Sequence, residues 1–290
     1  MANSIALSKV YTNLLDEVYQ QSALTAVLES DASLARQGAN ANEIVIPKLS
    51  MDGLADYSRN SGYVNGDVTL NWETVQFNYE RGRMFSVDNM DNEETQNIAF
   101  GRLAGEFIRT KVVPELDAFR FAKYASVVGA GTATGALATG ADVIAALRTA
   151  TSAMDESEVP MEDRHLFITP TLLGLVEDMD TTKSKEVLAR FASITKVPQT
   201  RFYSAIELLD GKTSGEERGG YKKATGAAEL NFEIIHKPAT LQFTKHAVPK
   251  VISPELNQDA DAWKYGYRNY GLCDTYENKA AGIYVHKKSV

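Results

Sequence analysis

The chain has 290 residues, of which 44% are hydrophobic and 23% charged, a composition that excludes a disordered polymer and leaves room for one large or two ordinary domains. Thirty basic against 38 acidic side chains give a net charge of -8, which argues against a protein whose main task is gripping nucleic acid through phosphate contacts. The single cysteine, Cys273, excludes an intramolecular disulfide and a cysteine zinc cluster, and it fits a reducing cytosol.

No basic segment followed by an apolar core opens the chain, and no run of about 18 apolar residues occurs in it, so neither a signal peptide nor a membrane span is expected. Leu7, Val10, Tyr11, Leu14, Leu15 and Val18 lie at helical spacing and predict an amphipathic helix running towards Leu28. An arm lying on a partner and an ordinary first core helix predict the same pattern. A polar stretch from Ser30 to Asn42 follows.

From Asn40 to Ala125 the pattern predicts a long two-stranded ribbon followed at once by a long helix. The outgoing strand, Glu43 to Leu49, is rich in β-branched residues and contains Pro47, whose missing N–H points to an edge position. Between Asp52 and Asp67 the chain is polar and punctuated by Gly53, Gly62 and Gly66, and Asn65-Gly66-Asp67 supplies residues that tolerate positive φ. This is the tip. The return strand sets Val68, Leu70 and Trp72 on one face and then Val75, Phe77 and Tyr79, a one-residue slip that predicts a bulge or bend near Glu73 and Thr74. A lone hairpin of this length is only marginally stable in water, so the ribbon needs a neighbour. Tyr57 and Tyr63 in the tip suit an interface, because tyrosine is enriched where surfaces meet.

Asp91 with Glu94 has the form of an acidic capping box. Ile98, Phe100, Leu103, Phe107, Ile108, Val112, Leu116 and Phe119 then recur at three- and four-residue intervals. A continuous helix from Asn92 to about Ser126 would be roughly 50 Å long at about 1.5 Å per residue. Pro114 is expected to kink it or split it, since it removes one intrahelical hydrogen bond and its ring crowds the preceding turn.

Gly129 to Gly140 is rich in small residues and reads as a linker, a possible hinge and the best domain boundary. Beyond it the pattern gives helices over Ala141 to Met154, Thr171 to Met179 and Lys183 to Phe191, and strands at Leu166 to Thr169, near Arg201 to Leu209, at Phe232 to His236 and at Leu241 to Phe243. This is mixed α and β. Gly211 to Gly226 reads as an exposed, mobile glycine-rich loop, and Gly282 to His286 as a terminal strand.

Fragments that imitate active-site motifs fail in spacing or context. Gly129 to Gly135 lacks the G-x-G-x-x-G spacing and follows a helix where a strand is required. Gly211-Lys212-Thr213 ends like a phosphate-binding loop, but Ile206 stands where the first glycine belongs. Ser193 to Lys196 and Lys212 to Gly215 imitate serine β-lactamase elements without the intervening S-D-N. The histidines, His165, His236, His246 and His286, are scattered and lack metal-motif spacing. Neither Asp178-Met179-Asp180 nor Asp259-Ala260-Asp261 continues into a calcium loop.

The run ANANEIVIPKLSMDGLADYSRNSGYVNGDVTLNWETVQF, with the following MDNEETQNIAFGRLAGEFIRTKVVPELDAFRFAKYA, resembles the major capsid proteins of tailed bacteriophages and prophages that have the Hong Kong 97-type (Johnson) fold. The resemblance implies an α+β fold with an N-terminal arm at 1–41, an extended β-hairpin loop at 42–80, a peripheral domain with a spine helix at 81–139 and 254–290, and a mixed α/β axial domain at 140–253. In that family the chain end returns to the peripheral domain beside the spine. The implied function is a self-assembling head shell around phage DNA, with no catalytic, cofactor-binding or metal-binding residues.

The implied partners are further copies of the chain in hexamers and pentamers, a separate scaffolding protein and a portal, and packaged double-stranded DNA bound without sequence specificity. No membrane is implied, and the location is the virion after assembly in the bacterial host cytoplasm. The candidate intersubunit contacts are Tyr57, Arg59, Tyr63, Val68, Leu70 and Trp72. Some family members remove a scaffolding segment that precedes the arm; the short stretch before the ribbon is not expected to hold one. Others weld subunits through a lysine in the extended loop. Here the ribbon has Lys48 near its base and no lysine between Met51 and Tyr79, so that cross-link is not expected. Two alternatives remain open from the residues: an encapsulin-like compartment shell of the same fold, and a soluble α/β enzyme or ligand-binding protein.

Overall fold

A computed structural model describes residues 23–30, 36–37, 43–60, 62–94, 98–179 and 181–289. The helix expected over Leu7 to Val18 lies outside the described residues. Residues 23–30 are not arm-like. A short 3-10 turn at Leu24–Leu28 leaves Thr25 and Leu28 fully buried, and Ser30 N–H donates to Gln242 O at 2.9 Å. Residues 23–30 thus belong to their own subunit's core, whereas the resemblance implied an arm over this stretch.

The ribbon is built from β1 (Arg36–Gln37), β2 (Glu43–Met51) and β3 (Val68–Gln76) in the order β1-β2-β3. β2 is therefore the middle strand at Ile44 and Val45, where β1 pairs with it. Pro47 lies beyond that pairing, so the missing N–H does not force the whole strand to an edge. The register of β2 and β3 runs without interruption from Glu43 opposite Gln76 to Met51 opposite Val68. The bulge expected at Glu73 and Thr74 is absent. The pleat simply continues, and the apolar residues change face because the two ends of the ribbon meet different surroundings. At the base, Val75 and Phe77 pack against a cluster of Ile44, Ile46, Leu241, Phe243 and Leu272; beyond it, the apolar side is the other one.

β4 (Tyr79–Asp88) follows β3 directly and enters a second antiparallel sheet, β11-β12-β4, in which β11 (Thr240–Ile252) and β12 (Ala262–Thr275) are the other strands. β4 runs straight into α1 (Asn89–Glu94), so the cap falls on Asp88, whose Oδ1 accepts the Met90 N–H at 3.0 Å. Asp91, expected to cap, lies in the first turn, where its charge suits the helix dipole. α2 (Ile98–Phe107) leads through a single π-helical turn, Ile108–Val112, into α3 (Val113–Ala125). Pro114 stands in the first turn of α3, where its missing N–H costs little. The wider π turn in front of it takes up the space its ring needs. Phe107 packs edge-on against Phe85 at 4.8 Å, and Tyr79 lies 4.9 Å from Phe119, which seats these helices on the sheet.

The remaining elements form the second half of the core. They are β5 (Gly131–Thr134), α4 (Gly140–Glu156), β6 (Arg164–Ile168), α5 (Pro170–Glu177), α6 (Thr182–Leu188), β7 (Ser193–Lys196), the hairpin β8 (Ile206–Leu208) and β9 (Tyr221–Lys223), β10 (Leu230–His236) and β13 (Ile283–Lys287). A five-stranded sheet runs β5-β13-β10-β6-β7. Leu166, Ile168, Phe232, Ile234 and Tyr284 face α4, α5 and α6. Phe167, Ile235, Ile283 and Val285 face Phe121 and Tyr124 of α3 and Leu28. With both faces covered, β6 and β10 are buried along their whole length.

Several expectations change here. The small-residue stretch from Gly129 contains an edge strand, β5, which pairs in parallel with β13. A Cβ on Gly131 would come within 2.4 Å of the Tyr284 ring, so the small residues serve close packing and no free linker exists there. β13 pairs within the five-stranded sheet, and its Ile283 and Val285 pack against Phe121 and Tyr124 of α3, so the chain end lies beside that helix as expected; β12 lies near the same helix. β11 runs past the expected end at Phe243 to Ile252 and joins β12 and β4, so sheet pairing does not follow the boundary at residue 253. Ser193 to Lys196 forms a strand parallel to β6.

Candidate intersubunit surfaces

The tip closes on itself. Asp52 N–H donates to Asp67 O at 3.2 Å, and Asp67 N–H donates to Asp52 Oδ2 at 2.9 Å. Farther out, Ser58 and Gly62 exchange backbone hydrogen bonds of 3.2 and 2.8 Å. Gly62 takes φ +78°, so the positive-φ residue among the described part of the tip is Gly62 and not Asn65-Gly66-Asp67. This inner turn brings the rings of Tyr57 and Tyr63 to 4.8 Å and carries Arg59 at its apex. The two tyrosines support one another, yet Tyr63 is 87% exposed.

Val68, Leu70 and Trp72 alternate along β3 and are 70%, 52% and 47% exposed. Successive side chains on a strand point to opposite faces, so these three share one side of the ribbon. Met51, opposite Val68 in register, is likewise exposed. A soluble monomer rarely leaves such a contiguous apolar strip uncovered. The structure thus places all six sequence-derived contact residues on the outer ribbon, as two groups: a polar aromatic turn and an apolar strip.

Sequence reading missed a second surface. A groove of about 1090 Å³ lies between β4, the α2 to α3 helices and the loop that joins β8 to β9. Arg81 builds its floor: Nε donates to Glu115 Oε1 at 2.8 Å, and Nη2 donates to Leu209 O at 2.7 Å. Arg83 donates to Arg218 O at 3.1 Å and to Glu217 O at 2.9 Å. The loop expected to be mobile is therefore tied down by two arginines of β4, and it is further ordered by Asp210, whose carboxylate accepts the Lys212 and Thr213 N–H groups. These bonds hold the Asp210 carboxyl down at about 2. Tyr79 donates to Glu115 Oε1 at 3.2 Å, and burial followed by that carboxylate pushes its phenol well above the usual range. Tyr79, Arg81, Arg83 and Phe85 share one face of β4 and alternate with the exposed Glu80, Gly82 and Met84, a signal visible only once that strand is recognised.

Two of the histidines have structural roles. His165 Nδ1 lies 2.7 Å from Ser193 Oγ, and His286 stacks on Phe232 and meets Asn231 at 3.0 Å. Among the described residues no group of three or more His, Cys, Asp or Glu side chains is placed to hold a metal ion. No helix among them is long and apolar enough to cross a membrane.

No family model matches the sequence, and no curated protein matches it. The structure is similar to the capsid structure of the cyanophage P-SCSP1u, with a TM-score of 0.63 and 12% identity over 97% of this chain and 93% of that one. It is equally similar to the mature capsid of bacteriophage PhiM1, at TM-score 0.63 and 11% identity over 100% and 92%. The chain has the phage capsid fold. A virus-like particle from Pyrococcus furiosus is also similar, at TM-score 0.50 and 11% identity over 82% of this chain and 85% of that one. In the capsid fold adopted here, the ribbon, the helices α2 and α3 and the sheeted core occur in the expected order along the chain. At such low identity the likeness carries architecture; the side chains on the two surfaces are this chain's own.

Proposed function

We propose that this chain is a structural major capsid protein, without catalytic activity, that self-assembles into the head shell enclosing phage DNA. The observation that carries the reading is the exposed apolar pair Val68 and Leu70, with the half-exposed Trp72 on the same side, on a ribbon whose fold-mates are capsid subunits. The partner is further copies of the same chain in hexamers and pentamers. The ribbon at 42–80 lies across an adjacent subunit. The β11-β12-β4 sheet with α2 and α3 forms the peripheral part, and the five-stranded sheet with α4 to α6 the axial part. A separate scaffolding protein and a portal complete assembly in the host cytoplasm, and DNA is enclosed without sequence-specific contacts.

The likeness to the virus-like particle from Pyrococcus furiosus keeps a shell other than a phage head as the second reading, but that likeness is lower and covers less of both chains. Electron microscopy of the purified protein tests the proposal together with one variant, in which Met51 to Asp67 is replaced by a short Gly-Ser turn. The full chain should form closed shells. The variant should stay folded by circular dichroism and fail to close them. A uniform monomer at high concentration overturns the capsid reading, and unfolding of the variant overturns the role of the ribbon as an arm.

A further inference from the structure

The groove behind β4 carries a charge opposite to that of the chain. Six arginine and lysine side chains line it against three carboxylates, and with Arg201 neutralised by the buried Asp117 the lining still carries a positive surplus, although the whole chain has a net charge of -8. Of these, Arg102, Lys111 and Arg218 stand exposed around its rim. The ribbon tip has the reverse character. Between Met51 and Asp67, Asp52, Asp56 and Asp67 stand against Arg59 alone, and every described residue there except the half-buried Gly62 is exposed.

The tip does not reach its own groove. Nine-residue strands span about 30 Å at roughly 3.3 Å per residue, and this length carries the tip away from Tyr79 and Arg81, which line the groove just beyond the ribbon's base. The groove, about 1090 Å³, stands at the upper end of the roughly 300–1,000 Å³ of small-molecule pockets. Its polar walls are fixed in advance by Arg81 and Arg83, which hold the β8 to β9 loop through four backbone carbonyls: Leu209, Gly220, Glu217 and Arg218. A preformed site of that size suits a structured turn whose own hydrogen bonds are already made, because little ordering is then required on docking.

We propose that the groove receives the acidic ribbon tip of a second copy of this chain, so that tip and groove form a heterologous contact repeated around the shell. The proposal rests on the capsid reading and adds to it the seat of the tip and the electrostatic basis of the contact. Complementary charge at such a contact sets register and excludes wrong pairings.

A charge exchange tests it. In one variant Lys111→Glu and Arg218→Glu reverse the groove rim; in another Asp56→Lys and Asp67→Lys reverse the tip; a third chain carries all four. Circular dichroism establishes that each is folded, and light scattering with electron microscopy gives the protein concentration at which shells appear. Each half-reversed chain should need about tenfold more protein or worse, since like charges then meet at the contact, and the four-fold variant should recover most of that loss. Raising the salt should weaken wild-type assembly and relieve the half-reversed chains. Normal assembly of both half-reversed chains overturns the groove proposal and leaves the capsid reading standing. Failure of the four-fold variant to recover overturns the tip as occupant. Shells of the groove variant that form normally but lose their nucleic acid overturn it too, in favour of phosphate. A wild-type chain that never forms shells defeats the capsid reading itself.

Discussion

Arg201 Nη1 stands 3.1 Å from Asp117 Oδ2, with the two side chains 2% and 0% exposed. The same carboxylate accepts the Leu24 N–H at 3.1 Å, the Thr25 N–H at 3.2 Å and the Thr25 hydroxyl at 2.8 Å. One buried charge of α3 thus fixes the loop before β8 and the turn at residues 24–28 together.

Asp117→Ala should therefore destabilise the subunit by about 3–5 kcal/mol, the usual cost of leaving a buried partner charge uncompensated. Urea denaturation measures it. Asp117→Ala combined with Arg201→Met should lose clearly less than the sum of the two single changes. An additive loss would show that the two side chains act independently.

Glu233 sits in the middle strand of the five-stranded sheet, fully buried, opposite Phe167 and Val285, and neither carboxylate oxygen has a hydrogen-bond partner. Burial pushes its carboxyl well above the usual range. A group whose folded pKa is raised contributes stability that is complete below the unfolded value, about 4.3 for glutamate, and is lost as pH rises towards the folded value. Stability should fall through that window by up to about 1.4 kcal/mol per pH unit. Glu233→Gln removes the titration. The gap in thermal midpoint, variant above wild type, should widen between about pH 5 and about pH 8. An equal gap at both would mean that Glu233 does not titrate with folding.

Much of this architecture is legible in the residues because hydrophobic period and turn chemistry are local signals. The helix after Thr139 announces itself by period and begins where Thr139 and Asp142 cap each other. The ribbon's strands and its polar tip are equally plain. The slip between Trp72 and Val75 was visible too, but its cause was not: a bulge and a change of environment leave the same pattern, and only the partner of each face separates them. Gly129 to Gly140 misled for a related reason, since small residues that permit Tyr284 to approach a strand look like small residues that permit motion. The groove was illegible, because Arg81, Glu115 and the carbonyls of Leu209 and Gly220 come from distant parts of the chain.

Cys273 is 1% exposed, and burial pushes its thiol up to about 12. As the thiolate is the reactive species, the folded subunit should resist thiol reagents and react only in denaturant. An intersubunit bridge through this buried thiol is accordingly not expected. Cys273→Ser should leave particle formation unchanged, as seen by electron microscopy under oxidising and reducing conditions alike. Particles that need an oxidant would contradict the buried position.

The exchange of apolar faces along β3 separates assembly from folding. Val68→Ser, Leu70→Ser and Trp72→Ser together change exposed positions, so the subunit's unfolding free energy should shift by no more than about 0.5 kcal/mol per site. Shell formation should nevertheless fail, because the strip that a neighbour covers has become polar. Val75→Ser should do the opposite in part. Val75 packs against the cluster of Ile44, Ile46 and Leu241 within its own subunit, and losing that contact should cost about 1–2 kcal/mol. Denaturation curves and light scattering on the same samples distinguish the two. If the triple variant unfolds as readily as the Val75 variant, the outer strip is covered by its own chain and the ribbon does not reach a neighbour.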